Sequence, residues 1–253
     1  MINLQSQNWQ IENIETVLFD KDGTFVDLDY FWGKVTELRV KEVIKKYKLT
    51  EERFEKLCLF LGYNCLTQKM LSDGITALYS RQKIIEIFTK NLEELNIFVE
   101  QKEIEEIFNK VTEKFNKECY KYTKPINSAI EFIKKLRKKG IKLGVVTSDS
   151  LYTTELTLKH FGWDKYFDVV IGRESTTQPK ESGEGIKLAL KKIKANPQTT
   201  IMIGDAPMDY IAATNAGLKA TILVSTGQIN INELRKTSNY VVKTLKEIEH
   251  IKF

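Results

Sequence analysis

Five short apolar runs, the first four closing on a polar, acidic or turn-forming position, restrict this chain to few folds. They cover Thr16–Asp20, Ile141–Thr147, Asp168–Gly172, Thr200–Asp205 and Lys219–Val224. Their centres, such as Val17-Leu18-Phe19 and Ile201-Met202-Ile203, are continuously apolar rather than alternating. A strand that reads this way is buried on both faces. Helical spacing between the runs predicts helices over Leu151–Phe161, Glu181–Ile193 and Pro207–Ala216. A further helix, opened by Pro125 and closed by Gly140, precedes the second run. Strands alternating with helices predict an α/β fold, a Rossmann-like parallel sheet with helices on both faces.

The first run is separated from the other four by a stretch of different character. From Tyr30 to Cys119 the chain is rich in Glu, Lys, Leu, Ile and Phe at helical spacing and carries almost no strand signal. Helices are predicted over Tyr30–Tyr47, Thr50–Leu61, Ser80–Leu92 and Glu100–Cys119, with Thr50 and Ser80 as N-caps and a loop from Gly62 to Leu78. The expected organisation is a core domain of residues 1–28 and 121–253, interrupted after its first strand by a helical domain of residues 29–120.

Composition narrows the function classes. Apolar residues make up 42% and charged residues 29%, which suits a globular protein and argues against disorder. No apolar run approaches the ~20 residues of a membrane helix. Met1–Gln10 is polar and lacks the basic-then-apolar order of a signal peptide, so a cytoplasmic location without membrane partners is expected. Cys58, Cys65 and Cys119 show no Cys-x-x-Cys spacing and read as reduced thiols. His160 is placed in a helix and His250 in a charged C-terminal tail, and neither suits a base or a metal ligand. The net charge of +5 suits an anionic substrate. Its densest stretch, Lys134 to Lys139, is interleaved with apolar positions at helical spacing and with no aromatic residue, which predicts a solvated helix face and no nucleic-acid partner.

The chemistry collects at the predicted carboxyl ends of the strands, where open α/β sheets hold their ligands. Asp20-Lys21-Asp22-Gly23-Thr24 follows the first strand and places two carboxylates at one turn, which Gly23 permits. Thr147 and Ser148 end the second strand. Lys180 lies in the connection after the third, and Gly204-Asp205-Ala206-Pro207-Met208-Asp209 ends the fourth. Each piece alone also reads as a turn, a helix cap or a solvated lysine. Together Asp20, Asp22, Asp205 and Asp209 would crowd one cleft with negative charge, which a divalent cation relieves. All-oxygen donors with room for water point to Mg2+. Lys180 adds fixed positive charge and Thr147 a hydroxyl donor, a set suited to a phosphoryl group.

These four motifs, in this order, resemble the haloacid dehalogenase (HAD) superfamily. The helical insertion sits where that family places its type 1 cap, and the wording is similar to phosphoglycolate phosphatase-like members. The resemblance implies a Mg2+-dependent phosphatase acting on a small phosphorylated metabolite. In it, Asp20 is the nucleophile and Asp22 the acid and base. Thr147, Ser148 and Lys180 hold the phosphoryl oxygens. The metal takes Asp20, the Asp22 carbonyl and Asp205, with Asp209 as a further or outer ligand. One departure is that Pro179 precedes Lys180 instead of following it, which keeps Lys187 as a second choice. A phosphomutase such as a β-phosphoglucomutase shares every core residue, and a non-turnover phospho-acceptor or binding module is a further alternative. In the cap, Tyr63, Asn64, Gln68, Lys69, Ser80 and Arg81 are candidate leaving-group contacts.

Overall fold

The computed structural model describes residues 1–79 and 81–251. They form two compact units, one of Met1–Asp27 with Thr123–Phe253 and the other of Leu28–Tyr122.

The first unit begins with a hairpin of β1 (Ile2–Ser6) and β2 (Trp9–Ile14), absent from the sequence expectation. Ile2, Leu4, Ile11 and Ile14 are buried, so the alternation hidden in a polar segment has a core to face. β3 (Thr16–Phe19) follows and is buried throughout.

The chain then builds the helical unit from α1 (Leu28–Tyr47), α2 (Phe54–Phe60), β4 (Tyr63–Asn64), β5 (Lys69–Met70), α3 (Ile75–Leu78), α4 (Arg81–Glu93) and α5 (Gln101–Lys117). Val40, Val43, Leu57, Phe88, Leu92 and Phe108 are its fully buried centre. Thr50 is the N-cap of a 3-10 turn at Glu51–Arg53 that precedes α2, and its side chain makes no cap bond there. The expected cap at Ser80 lies outside the described residues. The predicted loop after Gly62 contains the β4–β5 hairpin. Asn64 Oδ1 closes it by accepting from the Leu66 and Thr67 N–H groups at 3.0 Å each. Side-chain turn chemistry on two-residue strands leaves no periodicity to read.

Back in the first unit, the order is α6 (Asn127–Lys138), β6 (Lys142–Val146), α7 (Leu151–His160), β7 (Val169–Ile171), α8 (Glu184–Ile193), β8 (Thr200–Gly204), α9 (Pro207–Asn215), β9 (Ala220–Val224), α10 (Ile231–Thr237), β10 (Val241–Val242) and β11 (Glu249–Ile251). Pro125 does not open α6. It bridges to Val26, and the helix starts after Ile126. Six parallel strands pair in the order β10-β9-β8-β3-β6-β7. Leu18, Val146, Ile171 and Met202 pack with Ile186 and Ala189 of α8 and with Ala212 and Ala213 of α9. The alternate residues Val17, Phe19, Val145, Ile201 and Ile203 are equally buried, as a sheet covered on both faces requires. β11 pairs with β1, placing His250 opposite Leu4, so His250 belongs to a strand and not to a charged tail. Among the described residues no helix is long and apolar enough to cross a membrane.

β3 is central, and the chain runs from it to β6 and β7 on one side before returning to β8 and β9 on the other. Connections leaving the carboxyl ends of β3 and β8 therefore diverge, which opens a crevice beside β3.

Candidate active site

The Asp20 N–H donates to the Ile203 carbonyl at 2.9 Å, extending the β3–β8 ladder by one residue and fixing Asp20 at the strand end. The chain then turns tightly. The N–H groups of Thr24, Phe25 and Val26 all point to the Lys21 carbonyl, at 3.3, 3.1 and 3.0 Å. Gly23 makes the turn at φ +83°, and a Cβ there would overlap the Asp205 carboxylate. The position needs glycine for its backbone and for its lack of a side chain.

Lys180 opens a 3-10 turn between β7 and α8, and Gly183 at φ +76° redirects the chain into the helix. The Lys180 side chain is 4% exposed; its Nζ bonds Asp20 Oδ1 and lies 2.6 Å from Asp209 Oδ1. Lys187 is exposed on α8, so the inverted proline order leaves Lys180 as the lysine of the site. Asp209 stands in the first turn of α9, where its Oδ2 accepts from the Ala206 N–H at 3.1 Å. The missing side chain of Gly204 leaves room for that carboxylate.

Asp205 follows β8 and is buried. Among the described residues it has neither a hydrogen-bonded partner nor an ion pair. Thr147 follows β6; its Oγ accepts from the Asp149 N–H at 3.1 Å, which leaves its own proton free to donate. Ser148 beside it is exposed.

Four contributors were not anticipated from the sequence. Lys21 is fully buried, with Nζ 2.5 Å from Asp22 Oδ1 and 3.1 Å from Asp149 Oδ2. Thr226 Oγ1 donates to the Gly23 carbonyl at 2.6 Å, and a Cβ at Gly227 would overlap Asp205 Oδ2. The signal for Thr226 and Gly227 was present, since they follow β9 as Asp20 follows β3. A lysine between two aspartates was the signal for Lys21.

Electrostatics tie the group together. Burial pushes the Asp20 carboxyl up to about 7; Lys180 opposes that shift, while Asp209 and Asp22 add to it. Burial also drives Asp205 well above the carboxylate range, reinforced by Asp20 and Asp209. Burial alone would lower Lys180 and Lys21, but their paired aspartates outweigh it and raise both. The predicted residues Asp20, Asp22, Asp205, Asp209 and Lys180 thus act on one another.

Among the described residues no three His, Cys, Asp or Glu side chains form a ready-made metal cage. The site instead holds the buried Asp205 carboxylate, which has no contact ion pair among the described residues and is cradled by two glycines. Asp20 and Asp205 are hard oxygen donors, and Mg2+ typically binds through one or two carboxylates and keeps several waters. That donor set fits the ion.

The haloacid dehalogenase-like hydrolase sequence profile matches residues 17–223, which spans every one of these positions except the closing loop after β9. The chain belongs to the haloacid dehalogenase-like hydrolase family. It is a hydrolase, and the phosphatase assignment made from its motifs agrees with the names its relatives carry. This haloacid dehalogenase-like chain is 31% identical over 207 residues to a Clostridium perfringens relative that carries the name pyrophosphatase PpaX, covering 81% of this chain and 82% of that one. A relative of the same name from Caldanaerobacter subterraneus is 29% identical over 208 residues, 82% and 80% of the two chains. Among solved structures, a Haemophilus somnus protein described as a predicted phosphoglycolate phosphatase superposes with a TM-score of 0.70 at 16% identity, covering 93% and 96%. A Thermotoga maritima protein named for β-phosphoglucomutase gives 0.65 at 19% identity, covering 92% and 96%. At such identities these two likenesses concern the fold alone.

Proposed function

We propose that this chain is a Mg2+-dependent phosphatase, with the helical unit as its cap, that hydrolyses a small phosphorylated metabolite through an aspartyl phosphate on Asp20. The observation that carries the reading is the buried Asp20–Lys180–Asp209 bridge beside Asp205, at the carboxyl ends of β3 and β8. Asp20 attacks phosphorus, its Oδ–P bond forming as the bond to the leaving oxygen breaks. Asp22 supplies the proton that the leaving oxygen takes, then accepts one from the water that attacks the aspartyl phosphate and releases phosphate. Lys180 aligns the Asp20 carboxylate by direct bonding and faces the phosphoryl charge. Thr147 donates its free hydroxyl proton to a phosphoryl oxygen. Ser148, exposed, is a weaker partner for the same group. Asp20, Asp205 and the Asp22 carbonyl would hold Mg2+, which when bound neutralises phosphoryl charge. Asp209, engaged by Lys180 and by the Ala206 N–H, would be a further or outer ligand to the ion.

Relatives at 29–31% identity carry a pyrophosphatase name, so inorganic pyrophosphate is the first substrate to assay, ahead of phosphoglycolate. Phosphate release from pyrophosphate, phosphoglycolate and an aryl phosphate, with Mg2+ or EDTA, tests the proposal. The expected result is turnover with Mg2+ only, and its loss in a folded Asp20→Asn variant. Undiminished turnover in that variant removes Asp20 from the nucleophile role. Transfer of phosphate to a second sugar hydroxyl without release to water would replace the phosphatase reading by the mutase one.

A further inference from the structure

Three cations of the first unit, Arg235, Lys243 and Lys246, line one hollow without a counter-ion. Arg235 comes from the last turn of α10, Lys243 follows β10 directly, and Lys246 belongs to a 3-10 turn, Leu245–Glu247. Their chain neighbours Leu234, Val242 and Leu245 are buried, so core packing fixes the backbone that carries each cation. Together with Trp9 and the β1–β2 turn they enclose about 740 Å³. Small-molecule sites occupy roughly 300–1,000 Å³. The hollow shares no residue with the Asp20 site. β10 stands three strands from β3, on the order of 14 Å at the usual strand spacing.

Two acids line the same hollow, and both are engaged elsewhere. Glu247 Oε2 accepts from the Lys243 backbone N–H at 3.3 Å, and Glu249 Oε2 accepts from Gln5 Nε2 at 3.3 Å. Among the described residues none of the three cations has a carboxylate within ion-pair distance, although Lys236, next to Arg235, bonds Glu233 at 2.8 Å. Three cations against two acids leave the lining positive, which attracts an anion. Trp9 offers a surface of another kind. It is half-buried, and Tyr240 packs against it at 84° with ring centres 5.6 Å apart, which braces the indole. The amides of Gln7 and Asn8 lie at the hairpin turn on the same lining.

We propose that this hollow is a nucleotide site, separate from the Asp20 site, that takes a nucleoside diphosphate with its base on Trp9 and its phosphates on Arg235, Lys243 and Lys246. Every base has a face that stacks on an aromatic ring. Phosphate oxygens suit both a guanidinium fork and an ammonium point charge. The Gln7 and Asn8 amides can hydrogen-bond a base edge or a ribose hydroxyl. The chiefly polar lining turns away an apolar ligand, and an inorganic anion alone leaves the indole unused.

The test is calorimetric titration of the full chain in EDTA with adenosine diphosphate, pyrophosphate and adenosine, in the native chain and in Lys180→Met. Adenosine diphosphate should bind both chains equally, and about tenfold more tightly than pyrophosphate in Lys180→Met, since only the nucleotide stacks. Adenosine, without charge, should bind far more weakly. The double variant Lys243→Gln, Lys246→Gln should weaken adenosine diphosphate by about tenfold or more. Trp9→Leu should remove the advantage of the nucleotide over pyrophosphate, and Trp9→Phe, which keeps a ring, should retain most of it. Should Trp9→Leu not fold, the ratio of the two ligands in Lys180→Met still reads the contribution of the ring. Three results overturn the site: no binding of adenosine diphosphate to the native chain at millimolar concentration, binding lost in Lys180→Met but kept in the double lysine variant, or pyrophosphate bound as tightly as the nucleotide in Lys180→Met. None of them bears on the phosphatase reading, since turnover is not measured.

Discussion

Lys21 shows how much one residue can organise. Its fully buried ammonium joins Asp22 to Asp149, and so ties the loop after β3 to the loop after β6. Removing one partner of a buried ion pair leaves the others uncompensated, so Lys21→Met should lower unfolding free energy by about 3 kcal/mol. In turnover it should lower kcat more than it raises KM, because Asp22 loses its anchor. Urea unfolding and steady-state kinetics of the variant check both, and an unchanged midpoint contradicts the account. Asp20 carries a pH signature as well. In the metal-free protein its carboxyl is raised from 3.8 to about 7, chiefly by burial. A raised carboxyl means that the folded state holds its proton where the unfolded state has lost it. Its contribution is therefore fully present below about pH 4 and is lost as pH rises through about 7, on the order of 2–4 kcal/mol for this group. Denaturation in EDTA between pH 5 and 8 should show stability falling with pH; Mg2+ should flatten that slope and Asp20→Asn should reduce it, Asp205 supplying the remainder. The same slope in Asp20→Asn would assign it elsewhere.

At the scale of elements, what the sequence reveals depends on how each element is held. β3, β6, β8 and β9 were legible because both of their faces are buried and their composition says so. Helices α4, α5, α6, α8 and α9 were legible from apolar spacing to within a few residues of their ends. The start of α6 was misread because Pro125 serves a bridge to Val26 rather than a helix N-terminus. The β1–β2–β11 sheet escaped notice because its apolar residues are diluted among Asn, Gln and Glu, and because β11 gains its place only by pairing with a strand almost the whole chain away. That sheet nevertheless has a core. Leu4 is fully buried between strands, and Leu4→Ala should cost about 3 kcal/mol by transfer and cavity terms. Urea titration measures this, and a cost below about 1 kcal/mol would mean that the sheet contributes little.

For the molecule as a whole, the candidate site was legible in large part because strand ends are the one place where a doubly wound sheet converges its loops. Asp20, Asp22, Asp205, Asp209 and Lys180 follow from that rule. Thr226 and Gly227 obey it too and were missed, since neither a hydroxyl nor a glycine announces itself without the neighbour it touches. The role of Lys21 depends on burial, which an isolated lysine in a sequence does not disclose. The account rests on Asp20 becoming covalently phosphorylated, and trapping that bond is its most direct test. A single turnover with the preferred phosphate substrate and Mg2+, quenched in acid, reduced with borohydride and mapped by peptide mass spectrometry, should show Asp20 converted to homoserine. Turnover that leaves Asp20 unreduced, or that places the adduct on another carboxylate, would contradict it.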